Sequence, residues 1–353
     1  MNGKKITAFM VFVSILLCAC LALSGFTVLT QIRTAKVIDD FFNTTTTDVN
    51  QEDDITISDN YTIKSTLKIS DAYKSGDTSN LNDSEKETLE MAKEVLDEII
   101  TKNMNDFEKE KAVYDWLTSK LKAKTGILTV IPITTGNNDN PHDVLKNRSA
   151  VCVGYATTFR MFMQMLDIDC KVVHSTSLSH TWDLVKLDDG WYHTDCYMDS
   201  EACNYQNFNM DDVRCAQGHE WTREYFPAAT GKKYNYIFYI CDKLEDIYEI
   251  PAWLTNALIE KKATISCTFK NEINRSNEKE AQFMVEQLIN QLGSNDSYSI
   301  SYDWVLNDNS QYVLCFYIAY YEDTADIDKK TEKKIYQSIS EAMDKYYEKT
   351  ARG

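Results

Sequence analysis

Three residues in the middle of the chain could carry covalent chemistry: Cys152, His180 and Asp195. A cysteine that attacks a carbonyl needs a thiolate, a base to hold and return its proton, and a group that orients the base. Cys152 stands where a helix should begin, because Tyr155, Phe159, Phe162, Met163 and Leu166 recur behind it at helical spacing. The helix dipole and the first-turn N–H groups favour a thiolate there. The backbone N–H of Cys152 is also placed to stabilise a developing oxyanion.

His180 and Asp195 fall on the two arms of an expected hairpin, 180–187 and 191–196, around Asp188-Asp189-Gly190. A loop spanning 187–190 puts Lys186 opposite Trp191 and Asp195 opposite Trp182. His180 and Asp195 then share one face as diagonal neighbours, ~7 Å apart between backbones. A three-residue loop would turn Asp195 to the other face, and a two-residue loop would keep the face but add offset. The four-residue loop or an equivalent bulge is therefore expected.

The surrounding sequence resembles the transglutaminase-like superfamily over roughly residues 85–200. The resemblance begins at Glu108-Lys109-Glu110-Lys111-Ala112-Val113-Tyr114-Asp115-Trp116-Leu117. It strengthens over residues 143–156, where Cys152-Val153-Gly154-Tyr155-Ala156 stands, and continues through His180-Thr181-Trp182-Asp183 and Gly190-Trp191-Tyr192-His193-Thr194-Asp195. It implies an α+β, papain-like core with the nucleophile on a helix against an antiparallel sheet. By the same resemblance Cys152 is the nucleophile, His180 the base and Asp195 the orienting acid. The pattern looks like that of bacterial secreted or surface members. The chain departs from it after Asp195, where Cys196-Tyr197-Met198 replaces the Thr-Trp of many members and so alters a wall of the site. Many relatives carry an aromatic residue about ten positions before the cysteine. His142 stands there and is a candidate side-chain oxyanion donor, beside the plainer reading of a loop histidine next to Pro141. Trp182 is a candidate wall of the core and cleft.

The elements that must position these groups are legible around them. Asn82 with Glu85, and Asn105 with Glu108, open two amphipathic helices. Their stripes are Leu89, Ala92, Val95, Leu96 and Ile99, then Val113, Trp116, Leu117 and Leu121. Strands follow the cysteine helix at 171–173, 180–187 and 191–196. The stretch 234–239 reads as a buried strand in preference to a ligand groove. From about 263 the pattern changes to β-α-β-β-α, ending in a helix with Ile335, Ile339, Met343 and Tyr346 on one face. Four regions result: a signal anchor or signal peptide at 1–30, a spacer at 31–80, the catalytic domain at 81–255, and a small α+β domain of unassigned role at 263–353.

At the N-terminus Lys4 and Lys5 precede an uncharged stretch over 6–30, long enough for a membrane helix with its following chain outside the cytoplasm. Retention as a single-pass anchor is favoured. Cleavage after Ala22-Leu23-Ser24 and lipid attachment through Leu17-Cys18-Ala19-Cys20 are the alternatives. All three export the domain.

The chain has 353 residues, 37 basic against 54 acidic, for a net charge of −17. That balance excludes nucleic acid as the main partner, since phosphate binding needs a basic face. Ten cysteines include two in the N-terminal stretch. His193, Cys196, Cys203, Cys215 and His219 have spacings that zinc could use. Outside the cell, disulfides or buried thiols are the commoner use, with Cys203–Cys215 the first choice for a bridge. No metal and no cofactor are expected. His193 shares a strand face with Asp195 and is a secondary contact near the triad. Met161, Met163 and Met165 fit helix packing.

The leading expectation is a membrane-anchored, extracytoplasmic cysteine enzyme acting on amide or peptide bonds of proteins through a thioester. The lean is to hydrolysis over crosslinking, because no Asp-x-Asp-x-Asp-Gly calcium loop stands out. The alternative is an inactive fold of the same kind, used as a surface binding protein or scaffold, and Cys152 locked in a disulfide would favour it.

Overall fold

The structure, a computed structural model, describes residues 54–321 apart from 59–60, 125–137, 176, 178–179, 201–203, 272, 274–276, 293–297 and 308, together with residues 333, 337, 341 and 344. β1 (Ile55–Ser58) and β2 (Tyr61–Ile63) pair as an antiparallel hairpin. Next, α1 (Leu67–Ser75) ends at Gly76, whose φ of 77° suits glycine. α2 (Asp83–Ile99) and α3 (Asp106–Lys120) each open on the reciprocal cap that the sequence predicts. Asn82 Oδ1 accepts from Glu85 N at 2.9 Å while Glu85 Oε2 accepts from Asn82 N at 2.8 Å. Asn105 and Glu108 do the same at 3.0 and 2.8 Å.

β3 (Lys122–Ala123) and β4 (Ser149–Ala150) pair in parallel, and α4 (Pro141–Asn147) precedes β4. The central element is α5 (Cys152–Met165), all of whose residues are buried. A helix without a polar face must be enclosed. α1, α3 and α4 cover it on one side, and on the other lies the antiparallel sheet of β5 (Cys170–His174), β6 (Thr181–Leu187) and β7 (Gly190–Thr194). This is an α+β arrangement. Met161, Met163 and Met165 are core residues of α5.

The hairpin register is the one the spacing predicts, with Lys186 opposite Trp191 and Asp183 opposite Thr194. Leu187 and Gly190 also pair, so the turn proper is Asp188-Asp189. The extra offset expected of a two-residue turn does not arise, because the ladder simply continues to its last pair.

Beyond β7 come three short helices, α6 (Cys196–Asp199), α7 (Asp212–Cys215) and α8 (Tyr236–Tyr239). The stretch 234–239 is therefore not the buried strand the sequence suggests. Its aromatic rings pack on α3 instead: Tyr234 stacks on Phe107 with centroids 4.7 Å apart. A second sheet contains β8 (Asp242–Leu244), β9 (Thr264–Phe269), β10 (Tyr298–Leu306) and β11 (Tyr312–Tyr320), in the order β10-β11-β9-β8. α9 (Ile250–Ile259) and α10 (Glu278–Leu292) supply the rest of its core, through residues such as Leu254, Leu258, Met284 and Leu288.

Two expected boundaries move. Residues 54–80 are not a spacer: Ile69 and Ala72 of α1 join the main core, Thr66 Oγ1 donates to Gln164 Oε1 at 2.6 Å, and Arg160 Nη2 donates to Lys64 O at 2.7 Å. The second sheet also begins before residue 255, because β8 pairs in parallel with β9 and α9 packs into the second core. The expected N-terminal span at 6–30 lies outside the described residues, and among those described no helix is long and apolar enough to cross a membrane. The apolar positions of the expected last helix also lie outside them, while residues 333, 337, 341 and 344 are helical.

Candidate active site

Cys152 is the first residue of α5, one position after Val151 at the cap. Gly154 explains how the chain can approach there. A Cβ on it would lie 2.2 Å from Asn138 O and 2.8 Å from Val144 Cγ2, so only glycine lets the 138 backbone lie against the helix start. That contact is held by Val151 N donating to Asn138 O at 3.2 Å. Around the sulfur are apolar side chains: Ile63, Val153, Ala156 and Val172 form its cluster, with Ile55 and Tyr197 packed against it.

His180 sits just before β6 and is fixed by Ser175. Its N–H donates to Ser175 Oγ at 2.9 Å, and its carbonyl accepts from Ser175 N at 2.8 Å. Its ring lies parallel to Trp182, centroids 5.8 Å apart. Nε2 is 2.5 Å from Asp195 Oδ2, and the imidazole is also hydrogen-bonded to the Cys152 thiol. With Nε2 on the carboxylate, Nδ1 remains for the sulfur.

Asp195 follows β7 and caps α6, its Oδ1 accepting from Met198 N at 3.0 Å. Its own N–H donates to Asn207 O at 2.9 Å. It is almost wholly buried, at 1% exposure. Burial alone would raise its pKa, but the His180 charge and the hydrogen bonds from His180 and His219 hold it well below the usual carboxylate range. Burial opposes a charge on His180 too. The Asp195 charge outweighs it, and the imidazole is raised to about 10. A buried carboxylate, an imidazole disposed to protonation and a thiol hydrogen-bonded to it can move one proton between sulfur and nitrogen.

Asn207, which holds the Asp195 backbone, is itself held by Asp199. Asp199 accepts from Asn207 N at 2.8 Å, from Asn207 Nδ2 at 2.7 Å and from the Tyr114 hydroxyl. The Trp182 ring is fixed from behind: its Nε1–H donates to His193 Nδ1 at 2.9 Å, and His193 Nε2 is 3.0 Å from Asp212 Oδ1. His193 is thus a neutral imidazole with its proton on Nε2, and burial lowers its pKa against the pull of Asp212. It reaches the triad through Trp182 and not by direct contact. Asp183, on the opposite face of β6, is buried beside Cys170 at 3.6 Å and belongs to the core.

His142 is not brought to this group. Its Nε2 is 2.9 Å from Glu87 Oε2 and its Nδ1 3.3 Å from Asp143 Oδ1. It lines a cavity of about 250 Å³ with Thr66, Asn82, Asp139 and Thr157, on the α1–α2 side of α5. That cavity includes neither Cys152 nor His180. The residues with zinc-like spacing also part company. Cys196 and Cys215 are separate buried thiols, so Cys215 is not half of the expected bridge, and Cys203 lies outside the described residues. His219 instead meets Asp195, its Nε2 2.9 Å from Oδ2. Among the described residues the only group of three that places ligand-type atoms within 4.8 Å of one another is His180, Asp195 and His219. Both Nε2 atoms there serve as donors to one carboxylate oxygen, which accounts for the cluster without an ion. Spacing alone gave no sign that His219 faces Asp195, because the loop between them is irregular.

Residues 93–196 match the family model of the transglutaminase-like superfamily. The match contains Cys152, His180 and Asp195 and stops before His219. No curated protein matches the chain. Among solved structures, one described as "a putative protease" from Parabacteroides distasonis is similar at 10% identity over 79% of this chain and 56% of that one, with a TM-score of 0.27. The chain thus spans little more than half the length of that protein.

Proposed function

We propose, of a chain whose residues 93–196 match the transglutaminase-like superfamily, that it is a cysteine enzyme acting on amide or peptide bonds of proteins. The observation that carries this reading is the continuous chain of contacts from the Cys152 thiol through His180 to Asp195 Oδ2 at 2.5 Å. Cys152 gives its proton to His180 Nδ1 and attacks the amide carbonyl. The start of α5 directs its dipole at the developing oxyanion. His180, now an imidazolium held by Asp195, returns the proton to the departing amine, leaving a thioester on Cys152. Water or a second amine then attacks the thioester, His180 takes the new proton, and the thiol is restored. Water gives hydrolysis or deamidation, and a lysine amine gives a crosslink. Hydrolysis is the favoured outcome.

Cys152 is a thiol and not part of a disulfide, so the mark of a non-catalytic scaffold is missing. The site is proposed to act outside the cytoplasm on protein or peptide substrates, tethered by the 6–30 segment as a single-pass anchor. The −17 charge speaks against nucleic acid as a partner. A mass-spectrometric screen of peptide and protein amides, with and without an added primary amine, tests the reading. New termini, deamidated side chains or amine adducts should form with the wild type and vanish in Cys152→Ala. Equal products from Cys152→Ala would refute it.

A further inference from the structure

Asp195 Oδ2 takes a second imidazole besides His180. The His219 side chain is 4% exposed, with its Nε2 at 2.9 Å from that oxygen and its ring 4.8 Å from Trp182 and 5.6 Å from His180. It is carried by a short arm. Asp211 caps α7 through Arg214 N at 2.9 Å, and Cys215 O accepts from His219 N at 2.9 Å. The same arm is pinned from the second sheet, since Arg214 donates to Asp303 Oδ2 at 3.2 Å and to the Tyr317 hydroxyl. The region of unassigned role thus holds the arm on one side, while the arm delivers a histidine to the carboxylate on the other.

We infer that His219 is a positioning residue for the proposed acyl transfer, locking the Asp195 carboxylate and sharing its negative charge with His180. The inference rests on the triad reading given above. With Oδ1 tied to Met198 N and Oδ2 tied to two imidazoles, the carboxylate cannot rotate without breaking a bond at each end. An acceptor shared between two N–H donors gives less to each. His219 therefore tempers the hold of Asp195 on the imidazolium, and the proton is released more readily to the leaving amine. The groups around this pair are Cys152 from α5, Asp183 from β6, His193 from β7, Cys196 and Asp199 from α6, and Cys215 from α7, with the Tyr114 phenol beyond. Burial raises the Cys196 and Cys215 thiols well above their ordinary range. Asp199, raised by burial to about 6, titrates on the acid side. Glu110 of α3, beside Thr194 and raised by burial to about 8, titrates below His180 at about 10, so the last step of the alkaline limb is the one that reports on His180.

The test is the rate of Cys152 alkylation by iodoacetamide between about pH 5 and 11, followed by peptide mass spectrometry on the full chain. His219→Phe keeps a ring and removes the donor, and His219→Gln keeps an N–H. The alkaline limb should move up by roughly one pH unit in His219→Phe, the size of one charge-assisted hydrogen bond, and stay near the wild type in His219→Gln. Wild-type limbs in both variants, or equal displacement in both, would overturn the inference. If the variants do not fold, proton NMR of the wild type with its imidazole signals assigned by residue decides: a downfield Nε2–H signal from His219 beside that of His180 is expected, and its absence overturns the inference. Failure of the triad reading looks different, since wild-type Cys152 would then label no faster than in His180→Ala.

Discussion

Replacing Glu110 with glutamine tests the electrostatics beneath the site. Glu110 lies in α3, fully buried under the end of β7. Its Oε2 accepts from Asn209 Nδ2 at 3.0 Å, and its Oε1 is 3.4 Å from Thr194 Oγ1. Burial raises its pKa from 4.5 to about 8, against the hydrogen bonds of Asn209 and Thr194. The carboxyl is therefore protonated at neutral pH. Thr194 Oγ1 has one proton for two acceptors, Glu110 Oε1 at 3.4 Å and Asn209 Oδ1 at 3.0 Å, and the shorter contact is the one to Asn209. Because the folded value is raised, the stability contribution is fully present below pH 4.5 and is lost as pH rises through about 8. An interval of about 3.5 units at about 1.36 kcal/mol per unit gives a ceiling of about 5 kcal/mol. Glutamine keeps both contacts, donating to Thr194 and accepting from Asn209, and does not ionise. Urea unfolding of both proteins at pH 5, 6.5 and 8 should show similar stability at the lowest pH and a growing advantage for Glu110→Gln, reaching several kcal/mol at the highest. A difference that does not change with pH, or a variant that loses stability at pH 8, would refute the assignment of a buried neutral carboxyl.

Further substitutions probe the supports of the site. In Gly154→Ala the new methyl, 2.2 Å from Asn138 O, must displace the 138 backbone, at a cost of about 1–3 kcal/mol; an unchanged midpoint in thermal melting would mean that the loop does not lie there. Trp182→Phe removes the donor to His193 Nδ1 and should destabilise by about 1–2 kcal/mol in urea titrations, whereas a neutral result would show that the bond is not made. His180 has its pKa raised to about 10, so its stability contribution is full below the ordinary imidazole value and declines as pH rises toward 10. The stability of the wild type relative to His180→Ala should accordingly fall over that window, and a rise would contradict the His180–Asp195 pairing.

Much of the site's scaffold was legible because it rests on local rules. The two asparagine–glutamate caps fix the starts of α2 and α3 from four residues each. The β6–β7 register follows from the short turn at Asp188-Asp189, and with it the common face of His180 and Asp195. What was not legible depends on distant packing. α1 is only nine residues long and follows a stretch that reads as strand-like alternation; it is held by packing of Ile69 and Ala72 into the main core and by Thr66 donating to Gln164 across the chain. The aromatic run at 234–239 has strand-like composition, yet its rings find a better surface on Phe107 of α3. His142 has the sequence position of an oxyanion donor, but Glu87 on α2 draws it away. His219 reaches Asp195 through an irregular loop that no periodicity describes.

The central claim is that His180, held by Asp195, activates the Cys152 sulfur for acylation. Reaction with p-nitrophenyl acetate, read as nitrophenol release and by intact-protein and peptide mass spectrometry, tests it most directly. A hydroxylamine-sensitive acetyl group should form on Cys152 in the wild type, be absent from Cys152→Ala, and form at least about a hundredfold more slowly in His180→Ala, the lower end of the usual effect of a general base. Acetylation at the same rate without His180, or adducts spread over the other thiols with Cys152 spared, would contradict the account.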